Sequence, residues 1–520
     1  MIGIDGNSLS IAEVVKVARH YEPVELTETG RRQVVASRAV VEKLLNSENP
    51  VYGISTGFGD LSRIWISPPE REKLQRNLIL SHAAGVGSYL PEDVVRAAML
   101  LRANSLAKGY SGIRPETMEM LIAMLNRRVY PAVPSKGSVG ASGDLSPLSH
   151  IALVMMGEGK ALVEGKCVSG ADALAAAGLQ PIAFGGKEGL ALINGTQIMT
   201  AIGVLVWHDA TELMKAADIA AAMSLEALRG TRTAFDERIS RVRPHPGQLA
   251  TCSNLLRLTV DSRIMESHEH CEKVQDAYSL RCIPQVHGAS KDAVMRTLDT
   301  LTVEMNSATD NPLIFPDTGE VISGGNFHGQ PVALAMDYLK TALAEIGSIS
   351  ERRINRMLDA HLSDLPPFLT AYPGVDSGLM ITQYTAAALV SENKVLAHPA
   401  CVDSIPTSAN QEDHVSMGTI AARQAREILE NVRHVIAIEL LVAAQGLDFL
   451  LPLTPGTGVR AAHQAIRGVV PHLDEDRVPA DDIDRVYQLL SAGEIVRQTE
   501  NATGALFAFQ PVTSATDRQQ

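Results

Sequence analysis

Basic charge, paired cysteines and long apolar runs are all scarce in this chain, and each shortage removes a class of protein. Lys plus Arg number 46 against 59 Asp plus Glu, a net charge of −13. Without a basic excess, the phosphate contacts of a nucleic-acid binder have no source. Only five cysteines occur, Cys167, Cys252, Cys271, Cys282 and Cys401, scattered and without a CxxC pair. That pattern predicts neither a disulfide framework nor a zinc ribbon, and it suits a reducing cytoplasm. No apolar run reaches the roughly 18 residues of a membrane helix, and the first residues lack the basic-then-apolar order of a signal peptide. The expectation is a cytoplasmic protein with no membrane or nucleic-acid partner and no metal.

What the chain does have is length and helical periodicity. Its 520 residues are ample for a large core. Up to about residue 195 the sequence is broken by Gly and Pro, as in Ser67-Pro68-Pro69 and Tyr130-Pro131-Ala132-Val133-Pro134, which predicts short helices joined by loops. Longer patterns follow. Met336, Leu339, Leu343, Ile346 and Ile349 recur at steps of three and four in a proline-free stretch from Val332 to Leu365. A second proline-free stretch runs from Thr407 to Leu451, and its helical part, expected over 414–451, would be about 55 Å long. Within it Ile436-Ala437-Ile438-Glu439-Leu440-Leu441-Val442-Ala443-Ala444 is apolar nearly all round, so it needs cover from neighbouring helices or subunits. The fold class expected is mostly α: a long-helix central bundle with an N-terminal active-site domain of short helices and loops. The boundaries expected are 1–195 for that domain, 196–510 for the bundle and oligomerisation domain, and 511–520 for a disordered tail.

The most informative segment is Gly137-Ser138-Val139-Gly140-Ala141-Ser142-Gly143-Asp144-Leu145-Ser146-Pro147-Leu148. Attack of the Gly143 amide nitrogen on the Ala141 carbonyl carbon, with loss of water, closes a five-membered ring. Loss of the Ser142 hydroxyl then leaves a methylidene conjugated with it. Gly143 leaves the attacking nitrogen unobstructed, Ser142 supplies the leaving hydroxyl, and Gly137 and Gly140 allow a tight turn. A flexible glycine-rich turn is the plainer alternative. The flank favours chemistry: Ser146-Pro147 reads as an N-cap and first helical position, leading to a helix that stops at Gly157. Its N-terminus would stabilise negative charge arising at the loop.

This segment resembles, residue for residue, the signature of the histidine and aromatic amino acid ammonia-lyases, whose prosthetic group 4-methylidene-imidazole-5-one forms from Ala-Ser-Gly. The resemblance runs from Tyr52-Gly53-Ile54-Ser55-Thr56-Gly57-Phe58-Gly59 to Gln411-Glu412-Asp413-His414. It implies that Ala141, Ser142 and Gly143 form this group with no external cofactor, and that the chain is a homotetramer with active sites shared between subunits. By the same resemblance Arg281, in Gln275-Asp276-Ala277-Tyr278-Ser279-Leu280-Arg281, binds the substrate carboxylate, a task that suits a planar guanidinium. Tyr52 takes the β-proton, Tyr278 helps hold substrate and ring, and Asn194 lies next to the prosthetic group. Gln275, Phe327 and Met380 match pocket-lining positions. Read without the resemblance, Arg281 is as compatible with a surface charge, the tyrosines with half-buried aromatics and Asn194 with a turn.

Two positions speak to the substrate. Ser81-His82 resembles the histidine-specific branch of the family, where the phenylalanine-specific branch has an apolar pair. Glu412 matches a glutamate of the same branch, where aromatic lyases place an amide. A carboxylate can exchange a proton with an imidazole and is poorly matched to a phenyl ring. The resemblance thus implies elimination of ammonia from L-histidine to give trans-urocanate, the first step of histidine degradation. A tyrosine or phenylalanine lyase or aminomutase on the same scaffold, or a non-catalytic helical scaffold, are the alternatives. Glu412 also reads as a first-turn helix acid, with Ser408 and Gln411 forming a capping box.

Two other patterns are set aside. Gly53-Ile54-Ser55-Thr56-Gly57 fits a nucleophile elbow, but its flanks do not read as the strand and helix that elbow needs. His268-Glu269-His270-Cys271 lacks the i, i+4 spacing of a helical metal site and reads as a solvated helix face.

Overall fold

The computed structural model describes residues 1–45, 56, 65–67, 70–269 and 274–509. The fold is mostly α, with about 20 helices and only short strands among the described residues. The chain divides into two compact units. The first comprises Met1–His208, Leu298–Asp337 and Pro399–Arg423; the second comprises Asp209–Thr297, Tyr338–His398 and Gln424–Gln520. Each is assembled from separated stretches of the chain. Expectations for Tyr52, for most of Gly53–Gly57 and for 511–520 lie outside the described residues.

In the first unit, helix Ile11–His20 opens with a complete capping box between Ser10 and Glu13. Helix Glu92–Ala107 is buried along almost its whole length. Short antiparallel pairs, among them Lys160–Val163 with Lys166–Ser169, fill the Gly- and Pro-rich stretches. Helix Leu145–Met155 packs Leu148, Ile151, Val154 and Met155 inward and lies against helices Arg71–His82 and Glu188–Ile193. It ends as expected at Gly157, whose φ of 78° is the left-handed turn a glycine makes easily. Its start differs from expectation. The helix begins at Leu145 with Asp144 at the N-cap, so Ser146 and Pro147 sit inside the first turn. Asp144 is drawn there because its carboxylate is needed elsewhere. Its Oδ2 accepts from the backbone N–H groups of Ile198 (3.0 Å) and Met199 (2.9 Å), in the first turn of helix Gln197–Ala227.

The second unit carries long helices packed side by side. Leu339, Leu343, Ile346 and Ile349 are all buried, on helix Gln330–Leu358. The helix expected over 414–451 forms as Gly418–Asp448. The 436–444 run is buried throughout, and the cover comes from within one chain. Glu439, the one charge in that run, is fully buried and satisfied by Arg353, Ser224 and Ser350, which ties three helices together. A second buried cluster centres on Asp218, which accepts from His287 Nδ1 (2.8 Å), Lys291 Nζ (2.5 Å) and Asn254 Nδ2 (2.8 Å). Buried charges are tolerable only when paired and hydrogen-bonded in this way. Glu226, also buried, accepts from the Gly456 N–H.

His268 is not on a solvated helix face: it follows helix Arg263–Glu266, and its two ring nitrogens face the carbonyls of Ile264 (2.7 Å) and Gly230 (3.1 Å). His270 and Cys271 lie outside the described residues. Among the described residues no cluster of His, Cys, Asp and Glu could hold a metal ion, and no helix is long and apolar enough to cross a membrane.

Candidate active site

The Ala141-Ser142-Gly143 segment is a turn whose two ends meet, with Gly140 and Gly143 bridged across it. Gly143 also bridges Gly195, at the start of the Gln197–Ala227 helix, and the Asp144 N–H donates to the Gly195 carbonyl at 2.7 Å. Gly143 has a φ of 72°, and a Cβ there would fall 2.1 Å from the Gly195 oxygen. Only glycine fits both demands. The helix expected just beyond the loop is present, starting two residues after Gly143.

Three residues keep this turn in place, and sequence reasoning did not single them out. Asp144 is fully buried; besides its backbone contacts, its Oδ1 accepts from Ser138 Oγ (3.2 Å) and from Thr419 Oγ1, at the start of helix Gly418–Asp448. Burial pushes the Asp144 carboxyl up to about 6, against the opposing pull of the Thr419, Met199, Ser138 and Ile198 hydrogen bonds. The acid immediately after Gly143 and before a helical pattern was the available signal. Ser138 and Thr419 carried none, because small hydroxyl residues occur in every loop.

Asn194 stands beside Gly195 and is 3% exposed. Its Nδ2 donates to Asp310 Oδ1 (3.3 Å) and to the Asn311 carbonyl (3.0 Å), and its own carbonyl accepts from Arg102. Asn194 Oδ1 is buried without a partner. Asp310 in turn pairs with the fully buried Lys187 at 2.6 Å, whose ammonium burial pulls below its ordinary range, against the attraction of Asp310.

Glu412 reaches the turn from 270 residues away: the Ser142 hydroxyl donates to its Oε1 at 3.3 Å. It is not a first-turn helix acid. Residues 408–410 form one short 3₁₀ turn, Gly418 begins the next helix, and Glu412 lies between them. His82 ends helix Arg71–His82, and its Nδ1 bonds the Leu78 carbonyl at 2.8 Å. Burial lowers the His82 pKa, with that hydrogen bond and the nearby Glu412 charge working the other way. Because a carbonyl only accepts, His82 Nδ1 carries the proton of that bond. Phe327 is half-buried in the loop before helix Gln330–Leu358. The first unit thus brings together Ala141, Ser142, Gly143, Asn194 and Glu412, with His82 within the reach of the Glu412 charge.

The second unit holds Gln275, Tyr278, Arg281 and Met380. Arg281 lies over the Tyr278 ring, 4.4 Å from its centroid, at the two ends of the short helix Tyr278–Arg281. Arg281 Nε is buried without a hydrogen-bond partner, while Tyr278 is 71% exposed. Gln275 is exposed, and Met380 begins helix Met380–Leu396.

A family model described as aromatic amino acid lyase matches residues 9–468. The chain belongs to the aromatic amino acid lyase family. This lyase is similar to the histidine ammonia-lyase of Alkaliphilus oremlandii, 57% identical over 501 residues that cover 96% of this chain and 99% of that one. Among solved structures it is similar to histidine ammonia-lyase from Trypanosoma cruzi, with a TM-score of 0.90 at 44% identity over 96% of this chain and 95% of that one. The tyrosine aminomutase of Streptomyces globisporus superposes as well, with a TM-score of 0.91 at 40% identity over 96% and 99%. The backbone of this lyase is thus shared by enzymes named for different substrates, and discrimination falls to individual side chains.

Proposed function

We propose that this chain is a histidine ammonia-lyase, which eliminates ammonia from L-histidine without oxidation and leaves trans-urocanate. The observation that carries the substrate is Glu412 bonded to Ser142: a carboxylate able to exchange a proton with an imidazole stands at the reactive turn. The identity to relatives of that name supports the same reading.

The turn fits conversion to 4-methylidene-imidazole-5-one. Gly140 and Gly143 already close it, Gly143 has no Cβ to obstruct ring closure, and the unpartnered Asn194 Oδ1 offers a buried polar contact beside it. Once formed from Ala141, Ser142 and Gly143, this group supplies an electrophilic methylene carbon that no ordinary side chain offers.

The remaining work belongs to side chains. Arg281 holds the substrate carboxylate, a role supported by its buried, unpartnered Nε and by the guanidinium fork. Tyr52 removes the β-proton, and as electrons move to form the new double bond the Cα–N bond breaks. Tyr278 and Asn194 hold the polar end of the substrate. His82 accepts from one imidazole nitrogen and Glu412 exchanges the proton of the other, while Gln275, Phe327 and Met380 shape the pocket. Binding the reacting groups in line supplies much of the rate.

The enzyme is proposed to work in the cytoplasm as a homotetramer whose subunits share active sites. An apolar stripe left exposed on helix Met380–Leu396 supports assembly: Ile381, Tyr384 and Val395 are 52%, 60% and 67% exposed on one face.

Turnover of L-histidine, L-phenylalanine and L-tyrosine, followed by the absorbance of each unsaturated product, tests the substrate. Histidine is expected to win by a wide margin. A preference for either aromatic substrate refutes the roles of His82 and Glu412 and returns the tyrosine or phenylalanine lyase or aminomutase reading.

A further inference from the structure

The carboxylate at the reactive turn sits on a backbone built in an unusual way. Ser408, Ala409 and Asn410 have φ values of 50°, 53° and 65°, three successive non-glycine residues in the left-handed region. Each such residue costs free energy and persists only where its surroundings determine it. Here the two residues flanking the turn do so. The Thr407 N–H donates to the Glu412 carbonyl at 2.9 Å, and the Glu412 N–H returns a bond to the Thr407 carbonyl at 3.2 Å. A third link joins the side chains: Thr407 Oγ1 donates to Glu412 Oε2 at 2.8 Å.

That third bond divides the labour of the carboxylate. Oε2 is tied to Thr407 within the loop, and Oε1 is the oxygen that meets the Ser142 hydroxyl. A glutamate with free rotamers would lose much of this orientation to conformational entropy.

We infer that Thr407 is a positioning residue, whose hydroxyl clamps Glu412 so that Oε1 faces the substrate imidazole. The inference rests on the proposed histidine ammonia-lyase function. It assigns Thr407 no contact with substrate. Its effect passes wholly through the carboxylate, so it acts on the imidazole end of the substrate and leaves the amine and carboxylate end alone.

The test compares Thr407→Val, which keeps the branched shape and loses the hydroxyl, with Thr407→Ser, which keeps the hydroxyl. Losing a hydrogen bond to a charged group is expected to lower kcat/KM for L-histidine roughly tenfold or more in Thr407→Val. Thr407→Ser is expected to stay near the parent. Three further readouts separate positioning from general damage. Intact mass is expected to show both waters lost from the Ser142 peptide in each variant, and the melting temperature is expected to hold. Inhibition by L-alanine, which has the amine and carboxylate but no imidazole, is expected to be unchanged. A Thr407→Val enzyme with parental kcat/KM overturns the inference, as does a loss that serine fails to restore or that weakens L-alanine equally. A parent enzyme inactive on histidine overturns the function and the inference together, so the two failures are distinguishable.

Discussion

Gly143 and Gly195 lie backbone against backbone, so close that a methyl group on Gly143 would fall 2.1 Å from the Gly195 carbonyl oxygen. Gly143→Ala therefore meets two obstacles, a left-handed φ of 72° and a rigid backbone in the way of its side chain. Strain and overpacking together are expected to cost roughly 2–5 kcal/mol. Urea denaturation measures the loss, and intact mass is expected to show that the Ser142 peptide keeps its waters. A parental denaturation midpoint would contradict the packing described.

Ser142→Ala removes the hydroxyl and nothing that supports the fold, since the Ser142 contact is a single half-buried bond to Glu412. Turnover is expected to be nearly abolished while the melting curve remains that of the parent. Retention of most activity would rule out the proposed electrophile.

Arg281→Lys keeps the charge and loses the fork. A lysine cannot present two parallel N–H groups to a carboxylate. The expected result is a fall in kcat/KM of roughly 10- to 100-fold, the worth of one charged hydrogen bond. Steady-state kinetics decide it, and a lysine variant as fast as the parent removes Arg281 from the carboxylate site.

The pH dependence of stability has a specific source in Glu226. Burial lifts its carboxyl from an ordinary 4.5 to about 7, with hydrogen bonds from Ser262 and Gly456 and the Arg232 charge pulling the other way. Between those values the folded chain binds more protons than the unfolded one, so stability falls as pH rises. Glu226→Gln keeps an oxygen for the Gly456 N–H and cannot ionise. The variant is expected to be more stable than the parent at pH 8, by up to about 3 kcal/mol, and equal to it near pH 4. Denaturation midpoints across that range check this; parallel curves for the two proteins would remove Glu226 as the source.

Much of the fold was legible because helices are local objects. The three- and four-residue spacing of Leu339, Leu343, Ile346 and Ile349 encodes a buried face without reference to the rest of the chain. Helix ends were less legible. Ser146-Pro147 has the form of a helix start, yet Asp144 takes the N-cap, because its carboxylate is held by backbone N–H groups of a helix more than fifty residues away. Glu412 had two readings in the sequence, a carboxylate facing the substrate and a first-turn helix acid, and the structure places it outside any helix. Local pattern favoured a helix turn there, and the bonds to Thr407 and Ser142 favoured a loop.

The chemistry proposed for Ala141-Ser142-Gly143 can be read in the sequence, since three consecutive residues supply the carbonyl, the leaving hydroxyl and the attacking nitrogen. The apolar 436–444 run likewise carried its own burial. What the tertiary structure alone decided is how that tripeptide is held and what faces it. Gly195 pressed on Gly143, the unpartnered Oδ1 of Asn194 and the carboxylate of Glu412 come from distant parts of the chain. Contacts of that kind depend on packing and loop closure, which no window of sequence contains.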